Sequence, residues 1–138
     1  MIRLMLPMNK KEHTLLFAKS FLSSFKNNLL NSIDINKFNL RYDYLISNEI
    51  LIFTNSFRMP SKKLINLIVN SFTIKYISKT KVYICLFDYI NIPNSNMSIS
   101  LFVRFLEYGN FDMLPYPWIR TAWNKTLNQY NLNREVLY

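Results

Sequence analysis

Helical spacing dominates the apolar pattern in the N-terminal part of the chain. One stripe alternates steps of three and four residues, the period of a helix face: Leu15, Ala18, Leu22, Phe25 and Leu29. Asn9 precedes the stripe as a candidate N-cap, and Glu12 follows three residues later, as in a capping box. Four more apolar residues widen the stripe: Phe17, Phe21, Leu30 and Ile33. The pattern predicts a long helix that packs on a sheet or contacts a neighbouring subunit with a second face.

A different period follows this helix. Every second residue from 38 to 44 is apolar and the residues between are polar, as in a strand with one buried face: Phe38, Leu40, Tyr42 and Tyr44. Ser47-Asn48 provides a candidate turn, and residues 50–53 form the next apolar run. The pattern predicts a hairpin over residues 38–57.

The alternating apolar pattern ends before Pro60. The apolar residues 64–69 fit either a short helix or a buried strand. Ser61 is a candidate N-cap, and we therefore favour the helix.

Two strands are predicted after this helix. Apolar residues alternate at Phe72, Ile74 and Tyr76, and residues 82–87 are apolar on both faces, as in a central strand. Residues 78–80 form the candidate turn between them. Residues 91–98 then make a polar loop.

The C-terminal part contains one ambiguous segment. Residues 99–106 read as a strand with Ile99, Leu101, Val103 and Phe105 on one face, or as a helix turn that uses Phe102, Phe105 and Leu106. We favour the strand. After it, two prolines stiffen a loop, and a helix begins near Pro117 with four apolar residues on one side: Ile119, Trp123, Leu127 and Tyr130.

These elements give the order α, β, β, α, β, β, β, α. We expect an α+β fold in which a small mixed or antiparallel sheet packs against a long N-terminal helix and a C-terminal helix. The 138 residues are predicted to form a single domain, 1–138, with a polar tail that frays from about residue 131. Gly109 is the single glycine, which indicates a backbone position that needs positive φ or a close approach.

Composition narrows the class of protein. Half of the residues are hydrophobic, which excludes a disordered chain. The net charge of +9 is spread along the sequence, so it indicates either a solvated surface or diffuse contact with DNA or RNA. No apolar run approaches the roughly 18 residues of a membrane span, and residues 1–7 lack the features of a signal peptide. We expect an unsecreted chain with no membrane contact, whose single cysteine, Cys85, is a buried thiol.

The inventory of catalytic residues is poor. His13 is the single histidine, and the eight carboxylates show no paired spacing. One histidine and one cysteine are too few for a typical zinc site, and one glycine is too few for a phosphate-binding loop. We expect no enzymatic activity, no metal and no cofactor.

The most patterned stretch resembles a known family. Residues 102–109 read Phe-Val-Arg-Phe-Leu-Glu-Tyr-Gly, and after a proline-bearing loop residues 117–122 read Pro-Trp-Ile-Arg-Thr-Ala. This order is similar to the C-terminal signature of the tail-completion (neck) proteins of tailed bacteriophages. In that family an aromatic-rich strand ends in Glu-Phe/Tyr-Gly-Thr, and a Pro-aromatic-aliphatic-Arg-Pro-Ala segment opens the last helix. This chain departs from the signature at Asn110, where the family prefers Thr, and at Thr121, where it prefers Pro.

The resemblance implies a structural virion protein. Its role would be that of a ring-forming adaptor in head-tail joining or tail completion, located in the virion and in the host cytoplasm during assembly. The implied partners are copies of the same chain in a homo-oligomeric ring and the neighbouring portal, adaptor and tail proteins. The candidate subunit-interface residues are Arg104, Glu107, Tyr108, Gly109, Pro115, Pro117, Trp118 and Arg120.

Two questions about these residues stay open at the level of sequence. Glu107 has two candidate ion-pair partners, Arg104 and Arg120, within the chain or across subunits. Trp118 is either an exposed interface anchor or, with Trp123, part of the core of an ordinary turn. The alternative function is a basic RNA-binding subunit of a ribonucleoprotein such as an organellar ribosome, because aromatic and basic residues are neighbours at several positions.

Overall fold

The computed structural model describes residues 1–6, 14–47, 60–76, 82–93, 97–109 and 114–130. This part of the chain contains five helices and three strands, in an α+β arrangement. Their order is β1 (Ile2–Leu6), α1 (Thr14–Ser32), α2 (Ile35–Ser47), α3 (Ser61–Ser71), β2 (Thr73–Tyr76), β3 (Val82–Leu86), α4 (Ile99–Tyr108) and α5 (Trp118–Gln129).

The three strands form one antiparallel sheet with β3 in the centre. The order is β1-β3-β2, and Ile84 lies opposite both Leu4 and Ile74. Because β1 and β2 each run antiparallel to β3, they are parallel to each other, which is the arrangement of a split β-α-β unit. Ile84 and its neighbours in this row face the core, with α1 packed against β2 and β3.

An antiparallel pair of helices, α1 and α5, provides the aromatic centre of the core. The rings of Phe21 and Phe25 each meet the indole of Trp123 edge to face, with centroids 5.0 and 5.3 Å apart. Asn28 is buried in the same contact and donates hydrogen bonds to Thr126 Oγ1 at 2.8 Å and Gln129 Oε1 at 3.0 Å. The wide apolar stripe predicted for the N-terminal helix is therefore largely used inside the protein.

The first half of the predicted hairpin is wrong, because residues 38–44 belong to helix α2. Asp34 caps this helix, and its Oδ1 accepts hydrogen bonds from the backbone N–H groups of Asn36 and Lys37. Phe38 and Tyr42 are buried with their rings stacked, whereas Leu40 between them is 69% exposed. Residues four apart share a helix face as well as a strand face, so the alternation did not distinguish the two structures.

The predicted strand at 99–106 is also a helix, α4. The side chain of Ser98 caps it by accepting a hydrogen bond from Leu101 N at 3.1 Å. The buried face contains Ile99, Phe102, Val103 and Leu106, which is helical spacing, while Leu101 is exposed. The neck-family signature has a strand at this place, so this part of the resemblance does not extend to local structure.

The remaining elements largely agree with the sequence analysis. Helices α1, α3 and α5 and strands β2 and β3 are confirmed, and β3 is the central strand. Strand β1 was not predicted. Ser61 lies inside α3 rather than capping it, since Pro60 holds the N-cap position without a side-chain hydrogen bond. Several predicted features lie outside the described residues: the Asn9 and Glu12 cap, His13, the apolar run 50–53, the turn 78–80 and the tail from 131.

The cap of α2 gives a direct test of the helix at 35–47. We expect Asp34→Ala to lower the free energy of unfolding by about 0.5–2 kcal/mol, because two N–H groups of the first turn lose their acceptor. Asp34→Asn keeps an acceptor at the same place and should stay close to the parent protein. Urea unfolding measures both, and an Asp34→Ala protein as stable as the Asp34→Asn protein would contradict the cap.

Candidate functional site

The candidate site is the connection between α4 and α5, and it begins at Gly109. Gly109 has φ 72° and ψ −170°, a region of backbone space that is open essentially to glycine alone. The predicted need for positive φ is confirmed. The glycine ends a helix rather than a strand, and its N–H donates to the carbonyl of Phe105 at 3.0 Å.

The prolines of the connection hold a tight turn against α4. Tyr116 N donates to the carbonyl of Leu106 at 2.7 Å, and Trp118 N donates to the carbonyl of Tyr116 at 2.7 Å. Pro117, between these last two, has φ −76° and ψ 64°, the geometry of an inverse γ-turn. The proline ring fixes φ near this value, so the turn is favoured before the chain folds.

Glu107 joins the end of α4 to the start of α5. Its carboxylate is buried and accepts hydrogen bonds from the backbone N–H groups of Ile119 and Arg120, in the first turn of α5. Arg120 also donates from Nε to Glu107 Oε2 at 3.1 Å and from Nη2 to the carbonyl of Glu107 at 2.8 Å. Of the two partners considered from the sequence, Arg120 is the one that pairs with Glu107.

These contacts supply partners for backbone groups at both helix ends. The last carbonyls of α4 and the first N–H groups of α5 have no partners inside their own helices. The carbonyls of Phe105, Leu106 and Glu107 accept from Gly109, Tyr116 and Arg120. A carboxylate at the positive end of the α5 dipole adds a favourable electrostatic interaction.

Burial nevertheless raises the pKa of Glu107. Removal from water disfavours the charged carboxylate, and this effect outweighs the hydrogen bonds from Ile119 and Arg120 that favour it. Glu107 is therefore an acid whose ionisation in the folded protein is more costly than in the unfolded chain.

Trp118 lies in the core and not on an exposed interface. Its side chain is 2% exposed, and its indole Nε1 donates to the carbonyl of Leu29 at 2.8 Å. Leu29 is in the last turn of α1, where carbonyls lack helical partners, so the indole caps α1 from the side. The expectation of Trp118 as an exposed anchor is wrong, and the core alternative, which also includes Trp123, is correct.

A groove of about 710 Å³ lies where the connection meets the junction of α1 and α2. Tyr116 spans it, because its hydroxyl accepts a hydrogen bond from Asp34 N at 2.8 Å. The guanidinium of Arg41 lies over the Tyr116 ring, 5.2 Å from its centroid, and donates to the carbonyl of Leu114 at 3.3 Å. The groove wall also includes Leu40, Pro115 and Pro117.

Part of the predicted interface remains at the surface. Tyr108 is 67% exposed beside the Arg120 guanidinium, and Pro115 and Pro117 are exposed. Arg104 lies apart from this group, since its Nη2 donates to the carbonyl of Met1 at 2.9 Å.

Three residues at this site were not predicted from the sequence. Leu40 and Arg41 line the groove, and the carbonyl of Leu114 accepts a hydrogen bond from Arg41. The side chains of Leu40 and Leu114 are 69% and 79% exposed. The sequence signal for Leu40 and Arg41 was a helix that starts after the potential cap Asp34 and has Phe38 and Tyr42 at helical spacing.

The described residues show no constellation for metal chemistry, since no group of three or more His, Cys, Asp or Glu side chains comes together among them. None of the helices in the described ranges is long and apolar enough to cross a membrane. No family model, no curated protein and no solved structure matches the chain.

The raised pKa of Glu107 predicts a specific pH dependence. Folding favours the protonated form of Glu107, so its contribution to the free energy of unfolding is full below the unfolded pKa of about 4.5 and declines as pH rises through the folded pKa. Glu107→Gln lacks this titration. We therefore expect the stability of the parent protein relative to Glu107→Gln to fall as pH rises from the unfolded to the folded pKa of Glu107. Urea unfolding at a series of pH values measures this difference. A constant or rising difference would contradict the assignment.

The position of Trp118 gives a second test. We expect Trp118→Ala to lower the free energy of unfolding by about 3–5 kcal/mol, because a buried indole is replaced by a cavity. Trp118→Phe restores most of the volume but leaves the Leu29 carbonyl without its donor, which should cost about 1–3 kcal/mol. Denaturant unfolding measures both variants. A stable, cooperatively folded Trp118→Ala protein would contradict the core assignment.

Proposed function

We propose that this chain is a structural virion protein of a phage neck, a ring-forming adaptor in head-tail joining or tail completion. The proposal rests first on the resemblance of residues 102–122 to the neck-protein signature. The ring would form from copies of the same chain and would contact portal, adaptor and tail proteins.

One observation in the fold supports this function best, namely that the described residues 114–117 display exposed apolar side chains next to contacts that hold them to the helices. Glu107 and Trp118 attach the connection to α4, α5 and α1, while Leu114 and Pro115 remain outside. Leu40 on α2 is exposed on the wall of the adjoining groove. We refer to Leu40, Leu114, Pro115 and Pro117 as the apolar rim. Surfaces that are held rigid before binding lose little conformational entropy when a partner docks.

The apolar rim replaces Trp118 as the proposed anchor of subunit contact. A ring needs a contact in which two different patches of neighbouring copies meet, and the rim would be one of these patches. Such a contact depends on apolar burial, so it should persist when salt rises.

Light scattering coupled to size-exclusion chromatography tests the proposal. We expect the parent protein to elute as a homo-oligomer at low and at moderate salt, with and without added RNA. The double variant Leu40→Ser with Leu114→Ser should shift towards the monomer and keep its thermal unfolding transition, because both side chains are largely exposed.

The matched control is Leu16→Ser, which changes a leucine of similar exposure, 78%, on α1. This variant should assemble like the parent. A strictly monomeric parent protein would overturn the proposed function, and equal loss of assembly in the control would remove the apolar rim from the proposal.

A further inference from the structure

The outer face of the sheet carries cationic and aromatic side chains in two rows. Cys85 on the central strand lies opposite Arg3 on one side and Thr73 on the other. In the next row Tyr83 lies opposite Met5 and Lys75. Residues directly opposite in antiparallel strands project from the same face of the sheet. This face is therefore built from these two rows.

This face is separate from the hydrophobic core. The core cluster takes the alternate residues of the sheet, such as Leu6, Val82 and Ile84. Arg3 and Lys75 are exposed, and Tyr83 is half-buried. No residue from the two outer rows other than Cys85 is fully buried.

The cations of this face lie over its aromatic rings. The Arg3 guanidinium is 4.9 Å from the centroid of the Tyr83 ring, and Lys75 Nζ is 5.7 Å from that of Phe87. Phe87 in turn stacks on Tyr89, with centroids 5.3 Å apart and planes 20° from parallel. Tyr89 is 77% exposed, so its ring extends the aromatic surface into solvent.

The charge of this face is positive. Neither outer row contains a carboxylate, and no described carboxylate lies within ion-pair distance of Arg3 or Lys75. Asp88, which follows Phe87, is held by Ser100 and by the amino group of Met1. The cations of the face are thus available to an anionic ligand.

We propose that the outer face of the sheet, with Arg3, Lys75, Tyr83, Phe87 and Tyr89, binds single-stranded RNA. The exposed aromatic ring stacks on an unpaired base, and the two cations contact phosphates. Duplexes do not fit this mode, because their bases are already stacked on one another. RNA is the ligand of choice because its single-stranded loops and ends expose bases that aromatic rings on a sheet recognise. The inference goes beyond the proposed assembly role and uses different residues.

The test uses a labelled oligouridine of about 12 nucleotides, within the range covered by one small binding domain, and the full chain. Fluorescence anisotropy gives the affinity at several salt concentrations. Tyr89→Ala should weaken binding about tenfold or more, because a stacking platform is lost, while Tyr89→Phe should bind like the parent. Tyr108→Ala is the matched control, since Tyr108 is a similarly exposed ring on α4.

The phosphate contacts of Arg3 and Lys75 are tested through the salt dependence of the RNA affinity. Each phosphate contact on a single strand contributes about 0.7 to the slope of log affinity against log salt, so Arg3→Ala with Lys75→Ala should reduce this slope by about 1.4. The control double variant, Lys63→Ala with Lys125→Ala, removes two exposed lysines from helices α3 and α5 and should leave the slope unchanged.

Three results would overturn the inference. A Tyr89→Ala protein that binds RNA as well as the Tyr108→Ala protein would show that Tyr89 is not a stacking platform. Unchanged salt slopes in the Arg3 and Lys75 variant would remove the phosphate contacts. Equal affinity for an oligothymidine of the same length would overturn the choice of RNA. None of these results bears on assembly through the apolar rim, so the two proposals fail independently.

Discussion

The arrangement of the C-terminal half depends on the buried carboxylate of Glu107. Isolated in an apolar environment, this charge would be strongly unfavourable. It is tolerated because donors from one short segment converge on it: two backbone N–H groups of α5 and the guanidinium of Arg120. The same guanidinium reaches the carbonyl of Glu107, so one pair of residues connects both helix ends. Loss of the carboxylate would leave the first N–H groups of α5 without their acceptor, so Glu107 favours this position of α5 relative to α4.

That position determines the next contacts along the chain. Once α5 begins beside Glu107, Trp118 falls next to the last turn of α1, where the carbonyl of Leu29 needs a donor. Tyr116 is then within reach of Asp34, the residue that caps α2. A single local connection thereby joins four helix ends: the end of α4, the start of α5, the end of α1 and the start of α2. In this region the polar contacts pair the backbone groups of the helix ends, and the side chains of the apolar rim are exposed beside them.

The backbone geometry at Gly109 and helix α1 could be predicted from the sequence, whereas two other helices and the partner of Glu107 could not. Gly109 was informative because few other residues adopt its backbone geometry, and the long stripe of α1 has a period that strands lack. The strand predictions for residues 38–44 and 99–106 were wrong because alternating apolar residues also contain pairs four apart, which suit a helix. The choice of Arg120 over Arg104 for Glu107 is a matter of tertiary geometry: Arg104 is occupied by the carbonyl of Met1.

The two proposed surfaces differ in the physics that would drive binding at each. At the apolar rim, the side chains of Leu40 and Leu114 are largely exposed. The guanidinium of Arg41 beside them already lies over the Tyr116 ring and donates to the carbonyl of Leu114. Burial of apolar surface is therefore the main source of binding free energy at the rim. On the outer sheet face the cations Arg3 and Lys75 already lie on aromatic rings. A phosphate therefore meets cations that are held in place, which reduces the side-chain entropy lost on binding. Because the sheet presents its opposite face to α1, occupation of the outer face leaves the core contacts of β3 unchanged.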